Sequence, residues 1–253
     1  MTVEIELRAA RVRYGPLEAL HGIDLAVPAG APTVLLGRNG SGRTTVLRAL
    51  AGTVPLHAGT VRWRGADVTG LPAHDRARRG LCFVPDQRAV YAGLTVAENL
   101  DLATAPGGGT AAALDAYPAL RALLPRRAGT LSGGEQRMLA VSRALLAAAP
   151  PGPAAARGPR ARARVVLVDE PTLGMSPATA ARTYALLAAL SARAAVVLAE
   201  QRLPPLPHPG PVFVAELRRG AVVFTGEAAE LTAPPRDRSR PGPARPPGPN
   251  PPG

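Results

Sequence analysis

Three short stretches carry residue types suited to handling phosphate. The first is Gly37-Arg38-Asn39-Gly40-Ser41-Gly42-Arg43-Thr44-Thr45. Its spacing is that of a phosphate-binding loop, with Arg43 standing where such loops carry lysine. Glycines 37, 40 and 42 let backbone amides turn inward around an anion, and the helix that opens here adds its positive end. Thr44 is placed to ligate Mg²⁺ through its hydroxyl, and Thr45 to bond a phosphate oxygen. The second stretch is Val165-Val166-Leu167-Val168-Asp169-Glu170. A buried strand would deliver two carboxylates at its C-terminal end, Asp169 to hold Mg²⁺ through water and Glu170 to orient and polarise an attacking water. The third is Leu131-Ser132-Gly133-Gly134-Glu135-Gln136-Arg137. Ser132 is a helix-capping residue, and Gly133 and Gly134 expose amides at a helix start. Two phosphate-binding helix starts and one triphosphate pocket point to a dimer in which each chain closes its partner's pocket. A glycine turn, a pair of solvated acids or a capped helix would each explain one stretch, but not the three together.

The elements that must position these residues alternate between strand and helix. Residues 4–8 and 11–14 alternate like half-exposed strands. Residues 33–36, 165–168 and 196–199 are continuous apolar runs, as expected for strands covered on both faces. Helical patterns follow at Thr44–Leu50, Glu135–Ala149 and Pro177–Ala192. Residues 212–216 and 221–225 read as a late hairpin. The expected fold class is α/β: a P-loop nucleotide-binding core with a mostly parallel sheet, a small antiparallel β part and a shortened helical subdomain over about 93–145.

Composition excludes several alternatives. The chain has 253 residues, of which 46% are hydrophobic, enough for a real core. One cysteine, Cys82, rules out an internal disulfide framework. Aromatic residues are 3%, too few for a base-stacking platform. The net charge of +12 comes from 30 basic residues, all of them arginine. Much of the excess lies in two Pro/Gly/Ala/Arg-rich segments, 150–164 and 233–253. These read as an inserted loop and a disordered tail after a folded unit spanning 1–232. Mild basicity is left for the rest, so nucleic acid is not the expected partner. The apolar run 184–199 is broken by Arg193, and the first residues show no signal core, so a cytoplasmic location is expected.

The three motifs together resemble the ATP-binding subunits of ABC transporters, and Leu-Ser-Gly-Gly-Glu-Gln is that family's specific signature. The resemblance covers most of residues 3–232. It is strongest to the cassettes of branched-chain amino-acid and urea importers, in YGPLEALHGIDLAVPAG, LTVAENL, AGTLSGGEQRMLAVSRALL and DEPTLGMSP. The resemblance implies two chains sandwiching two ATP·Mg²⁺. Gly37, Asn39, Gly40, Ser41, Gly42, Arg43, Thr44 and Thr45 of one chain would face Ser132, Gly133, Gly134 and Glu135 of the other. It also implies that Tyr14 stacks on adenine, that Asp86 takes the lid position near Mg²⁺ and the membrane partner, and that Gln201 takes the switch position beside the γ-phosphate. Glu170 and Gln201 are thus the implied catalytic pair, and Thr44, Asp86 and Asp169 the implied metal ligands. His21, His57, His74 and His208 match no catalytic position.

The implied function is the ATP-hydrolysing subunit of an importer for branched-chain or related amino acids, peripheral on the cytoplasmic face of the membrane. Its implied partners are a second ATP-binding subunit, the same or paralogous, integral permease subunits contacted around residues 86–100, and indirectly a solute-binding protein. Several positions depart from the family pattern. Arg43 keeps the charge of lysine on a longer, planar head, which favours an alternative reading as a regulatory cassette that binds ATP with impaired hydrolysis. A soluble, non-transport cassette is a third reading; such proteins carry two cassettes or a long insertion. Residues 101–130 leave room for about one helix before the signature, and the proline-rich 202–211 replaces a helix expected in the family.

Overall fold

The computed structural model describes residues 2–104, 108–149 and 164–232. The tail 233–253 and the inserted loop 150–164, save Arg164, lie outside them.

Alternating residues open the chain as two long antiparallel strands, β1 (Val3–Tyr14) and β2 (Leu17–Pro28). The two expected runs at 4–8 and 11–14 are one strand. They are separated by a bulge at Ala9, whose φ is 46° and whose amide donates to Asp24 Oδ1 at 2.9 Å. The register therefore slips between Leu7 and Ala10 while both halves keep pairing with β2. Next come β3 (Pro32–Leu36), α1 (Arg43–Ala51), β4 (Ala58–Trp63), β5 (Ala66–Asp67), α2 (Ala73–Arg78) and β6 (Leu81–Val84). A helical region follows with α3 (Val96–Asp101), α4 (Ala111–Ala116), a 3-10 helix over Pro118–Leu123 and α5 (Gly133–Ala147). The chain closes with β7 (Val165–Asp169), α6 (Pro177–Leu190), β8 (Ala195–Glu200), β9 (Phe213–Arg218), β10 (Ala221–Glu227) and α7 (Ala228–Thr232).

Among the described residues the strands form two sheets, β2-β1-β4-β5 and β10-β9-β3-β8-β7-β6. The first is antiparallel; the second is parallel except for the β9–β10 hairpin. The expected α/β architecture, a mostly parallel sheet with a smaller antiparallel part, is the one observed. The continuous apolar runs have a direct cause. Val165 and Leu167 of β7 enter a core shared with α1 and the antiparallel sheet, whereas Val166 and Val168 enter a second core shared with α3, α4, α5 and α6. β8 divides in the same way, with Val197 in the first core and Val196 and Leu198 in the second. No α-helix occupies 202–211, where prolines 204, 205, 207, 209 and 211 remove backbone donors. Among the described residues no helix is long and apolar enough to cross a membrane.

Candidate nucleotide-binding site

β3 and β7 are both parallel to β8, so Gly37 and Asp169 emerge at the same end of the sheet. The loop between β3 and α1 is tight. A Cβ at Gly37 would fall on the Ser41 side chain and on the Leu217 carbonyl oxygen, so residue 37 must be glycine. Gly42 caps α1 at φ 108°, a backbone shape suited to glycine, and no side chain accepts from the first amides of the helix. Those amides are left for an anion.

Arg43, the first residue of α1, is the buried basic group of this loop, its side chain only 6% exposed, whereas Arg38 is less buried. Its Nη2 donates to Glu170 Oε1 at 3.3 Å and to Asn39 Oδ1 at 3.5 Å. Gln201 Nε2 donates to the same Glu170 oxygen at 3.2 Å. Glu170 sits at φ 47°, unusual for a residue with a Cβ, and its amide donates to Ala199 O at 3.0 Å. Asn39, Arg43, Glu170 and Gln201 therefore form one cluster.

Asp169 lies beside it, 1% exposed. Burial pushes its carboxyl above the usual range, and the charges of Asp86 and Glu170 push the same way. A hydrogen bond from Thr44 and the charge of Arg43 oppose them. Six buried side-chain polar atoms lack a partner among the described residues, and three belong to this site: Ser41 Oγ, Arg43 Nη1 and Asp169 Oδ2. Unpaired buried polar atoms are costly, so their concentration here marks a place that a ligand completes. The donor set fits a phosphate chain, with free amides, an arginine and hydroxyls. The buried carboxylate beside Thr44 fits a hard divalent cation such as Mg²⁺.

The signature forms the start of α5. Ser132 and Glu135 complete a capping box, with Ser132 N–H donating to Glu135 Oε2 at 2.8 Å and Glu135 N–H to Ser132 Oγ at 3.3 Å. Gly133 faces open space, whereas a Cβ at Gly134 would meet Gly174 O at 2.5 Å. These residues bond to each other, not to the phosphate loop of their own chain. Tyr14 ends β1, 39% exposed, on the antiparallel sheet.

The family described as "ABC transporter" matches residues 20–150. A protein named as a branched-chain amino acid transport ATP-binding protein, LivF, from Archaeoglobus fulgidus is 38% identical over 170 residues, which is 65% of this chain and 66% of that protein. The high-affinity branched-chain amino acid transport ATP-binding protein BraG of Pseudomonas aeruginosa is 35% identical over 174 residues, with 65% and 67% covered. The chain thus spans about two thirds of the length of these relatives. It belongs to the ABC transporter family. Among solved structures, MJ1267, an ATP-binding cassette of an ABC transporter, aligns at a TM-score of 0.70 and 21% identity over 91% of this chain and 93% of its own. A bacterial Atm1-family ABC exporter with ATP bound aligns at 0.72 and 20% identity, over 91% of this chain and 39% of its own. At these identities the likeness shows the fold.

The ABC fold also brings to the site residues that sequence reasoning passed over. Glu200 precedes Gln201 and accepts from Tyr184 OH at 2.6 Å, while Tyr184 OH lies 2.9 Å from Thr172 Oγ1. Burial pushes the Glu200 carboxyl up, and the same cause, reinforced by the bond to Glu200, pushes up the Tyr184 phenol. Gly37 N–H donates to Glu200 O at 3.2 Å, so this acid is tied to the phosphate loop as well. The one sequence signal was a polar residue ending the apolar run of β8. Asp86 is held through its backbone: Arg137 of α5 donates to Pro85 O at 2.8 Å and Asp86 O at 2.6 Å. Arg143, six residues further along α5, donates to Ala89 O at 2.8 Å and stacks over the Tyr91 ring. The helix that begins at the signature thus grips the segment carrying Asp86. The four histidines make local contacts elsewhere: His21 with Glu18, His57 with Arg13, His74 with Asp75 and His208 with Gly210.

Proposed function

We propose that this cassette binds and hydrolyses ATP·Mg²⁺ as the peripheral motor subunit of an importer for branched-chain or related amino acids. The observation that carries the nucleotide reading is the convergence of three orphaned buried polar atoms, on Ser41, Arg43 and Asp169, at the mouth of an uncapped helix. The names of the two relatives support the amino-acid substrate class. Arg43 and the α1 amides take the phosphates, with Thr45 bonding a further oxygen. Thr44, Asp169 and Asp86 would hold Mg²⁺, which supplies charge neutralisation on the phosphates when bound. Glu170 orients the attacking water, and Gln201, already bonded to Glu170, contacts the terminal phosphate. Gln201 can bond an oxygen but cannot carry an imidazolium charge. Ser132, Gly133, Gly134 and Glu135 close the pocket of a second copy or paralogue, and Tyr14 stacks on the base. The permease subunits dock around residues 86–100. Residues 1–232 form the cassette unit, with its helical part over about 93–145.

Glu170→Gln tests this. It removes the carboxylate that polarises water and leaves the phosphate contacts, so ATP binding should persist, hydrolysis should collapse and size-exclusion chromatography with ATP·Mg²⁺ should show a longer-lived dimer. Turnover equal to that of the unmodified chain would remove Glu170 from the reaction. The contact of Arg43 with Glu170 favours a second reading, a cassette that binds ATP and regulates an active partner without useful turnover. Near-zero ATPase activity in the presence of permease, for both the unmodified chain and Arg43→Lys, would select it.

A further inference from the structure

We propose that Arg43 is a positioning residue for Glu170, holding the carboxylate over the phosphate loop until phosphate oxygens displace it. Nucleotide binding itself then releases Glu170 for its task. This rests on the nucleotide reading above and adds the step that arms the site.

The argument starts from the donor inventory of the guanidinium, which has five N–H groups. Its bonds to Glu170 and Asn39 both come from Nη2, at 3.3 Å and 3.5 Å, beyond the usual N–H···O range. Nη1 has no partner although the side chain is almost fully buried. Arg43 is thus paired, but poorly. A phosphate group offers several anionic oxygens, to which a planar guanidinium can bond with two parallel N–H groups, and such bidentate pairs are the strong ones. In that competition a single, long carboxylate contact loses.

The location adds a second reason. A cation at the N-terminus of a helix faces the positive end of the dipole, and α1 has no acid in its first turn to offset it. Glu170, 127 residues away in sequence, supplies the missing negative charge. Once phosphate supplies it instead, Glu170 no longer has to stay there. Gln201 donates to the same Oε1, so the carboxylate remains tethered on one side when Arg43 lets go.

The test is a double-mutant cycle on ATP affinity, read by calorimetry or a fluorescent analogue at protein concentrations where sedimentation shows monomers. The four chains are unmodified, Glu170→Gln, Arg43→Gln and the double variant, with thermal melts confirming that each is folded. Glu170→Gln should tighten ATP by about tenfold, the size of one charge-assisted hydrogen bond no longer broken. The gain should shrink to about twofold or less where Arg43 is also replaced. AMP affinity should not respond, because AMP lacks the phosphates that compete. An equal gain in both backgrounds would mean simple repulsion between Glu170 and nucleotide, and would sink the proposal. No gain at all would do the same while leaving ATP binding intact. If the unmodified chain fails to bind ATP, the nucleotide reading itself fails, and the proposal goes with it. Should Arg43→Gln bind too weakly to measure, the carbon-13 resonance of the Glu170 carboxyl in the intact chain takes over. It should move in step with occupancy by a non-hydrolysable ATP analogue and stay fixed with AMP. A resonance that does not move with the ATP analogue overturns the proposal.

Discussion

The two ends of α1 each hold a buried arginine, and the two are provided for very differently. At the C-terminal end Arg76, 2% exposed, spends all five N–H groups on backbone carbonyls. Nη1 donates to Ala49 O and Leu50 O at 2.8 Å, Nη2 to Val68 O at 2.8 Å and Thr69 O at 3.0 Å, and Nε to Leu71 O at 3.0 Å. Two of those carbonyls belong to the last turn of α1, where a cation also suits the helix dipole. At the N-terminal end Arg43 has two long bonds and an orphaned nitrogen, at the pole the dipole disfavours. The difference teaches how to read a buried arginine. One whose donors are all met by the fold belongs to the fold. One left under-satisfied is kept for something that arrives.

The largest expected effect comes from the satisfied end. Arg76→Met should strip the guanidinium from five carbonyls in a packed region, of which Ala49 O and Val68 O keep a backbone N–H, and cost about 3 kcal/mol of stability, measured as a lower urea midpoint. Gly52 lies against this guanidinium, so the pocket has no slack for a rearranged side chain. Arg43→Met should do the reverse. Stability should change by less than about 1 kcal/mol, because a poorly paired cation leaves the wrong pole of a helix. ATP affinity should fall about thirtyfold, or ~2 kcal/mol, with the loss of charge-assisted bonds. If Arg43→Met destabilises the chain as much as Arg76→Met does, the distinction between the two ends collapses. Arg43→Lys sharpens it further. A compact ammonium between the phosphates should raise turnover about tenfold, or ~1.4 kcal/mol, if the site is a working but handicapped one.

The same contrast separates what the sequence made legible from what it hid. The three motifs were readable because loop chemistry is local: glycines, a hydroxyl and a cation must sit within a few residues of each other. The runs at 33–36, 165–168 and 196–199 were readable because strands covered on both faces need no polar residue. β2 and β4 lacked either signal, each having one partly exposed face, and β6, an apolar run over Leu81–Val84 with partly exposed middle residues, was passed over; all three are placed by their pairing with β1 and β7. The bulge at Ala9 hid the unity of β1, since one left-handed residue looks like a break in alternation. The contact between Arg43 and Glu170, the cage around Arg76 and the chain from Thr172 through Tyr184 to Glu200 are all tertiary. No local spacing encodes which carbonyl or carboxylate a side chain will meet.

That last chain offers an intermediate effect. Tyr184→Phe removes the hydroxyl that donates to Glu200 and leaves a half-buried carboxylate short of one hydrogen bond. Glu200 adjoins Gln201 and its carbonyl anchors Gly37, so the loss should loosen both the switch position and the phosphate loop. Turnover should drop about fivefold to tenfold, ~1 kcal/mol, with the KM for ATP changing little. An unchanged turnover would make the Tyr184–Glu200 bond purely a packing matter and restrict site chemistry to the Arg43 cluster.

The smallest effect tests the dipole argument at another helix start. α5 begins with a closed capping box and an acid, Glu135, where α1 begins with an open cap and a cation. The Ser132 amide, and after it the Ser132 hydroxyl, hold the Glu135 carboxyl below the usual carboxylate range. A depressed value in the folded chain fixes the sign of the pH dependence. The contribution of ionised Glu135 is present above the unfolded value of about 4.3 and is lost as the pH falls through the folded one. Glu135→Gln keeps an acceptor for the Ser132 amide but removes the charge. It should therefore cost about 0.5 kcal/mol at pH 7 in low salt, shrinking as salt is added, because the group is partly exposed to solvent. Once the pH is well below the depressed folded value, the variant and the unmodified chain should melt alike. A difference that persists unchanged into acid would show that the charge at the start of α5 contributes nothing. The dipole would then no longer explain why Arg43, at the start of α1, depends on an anion from β7.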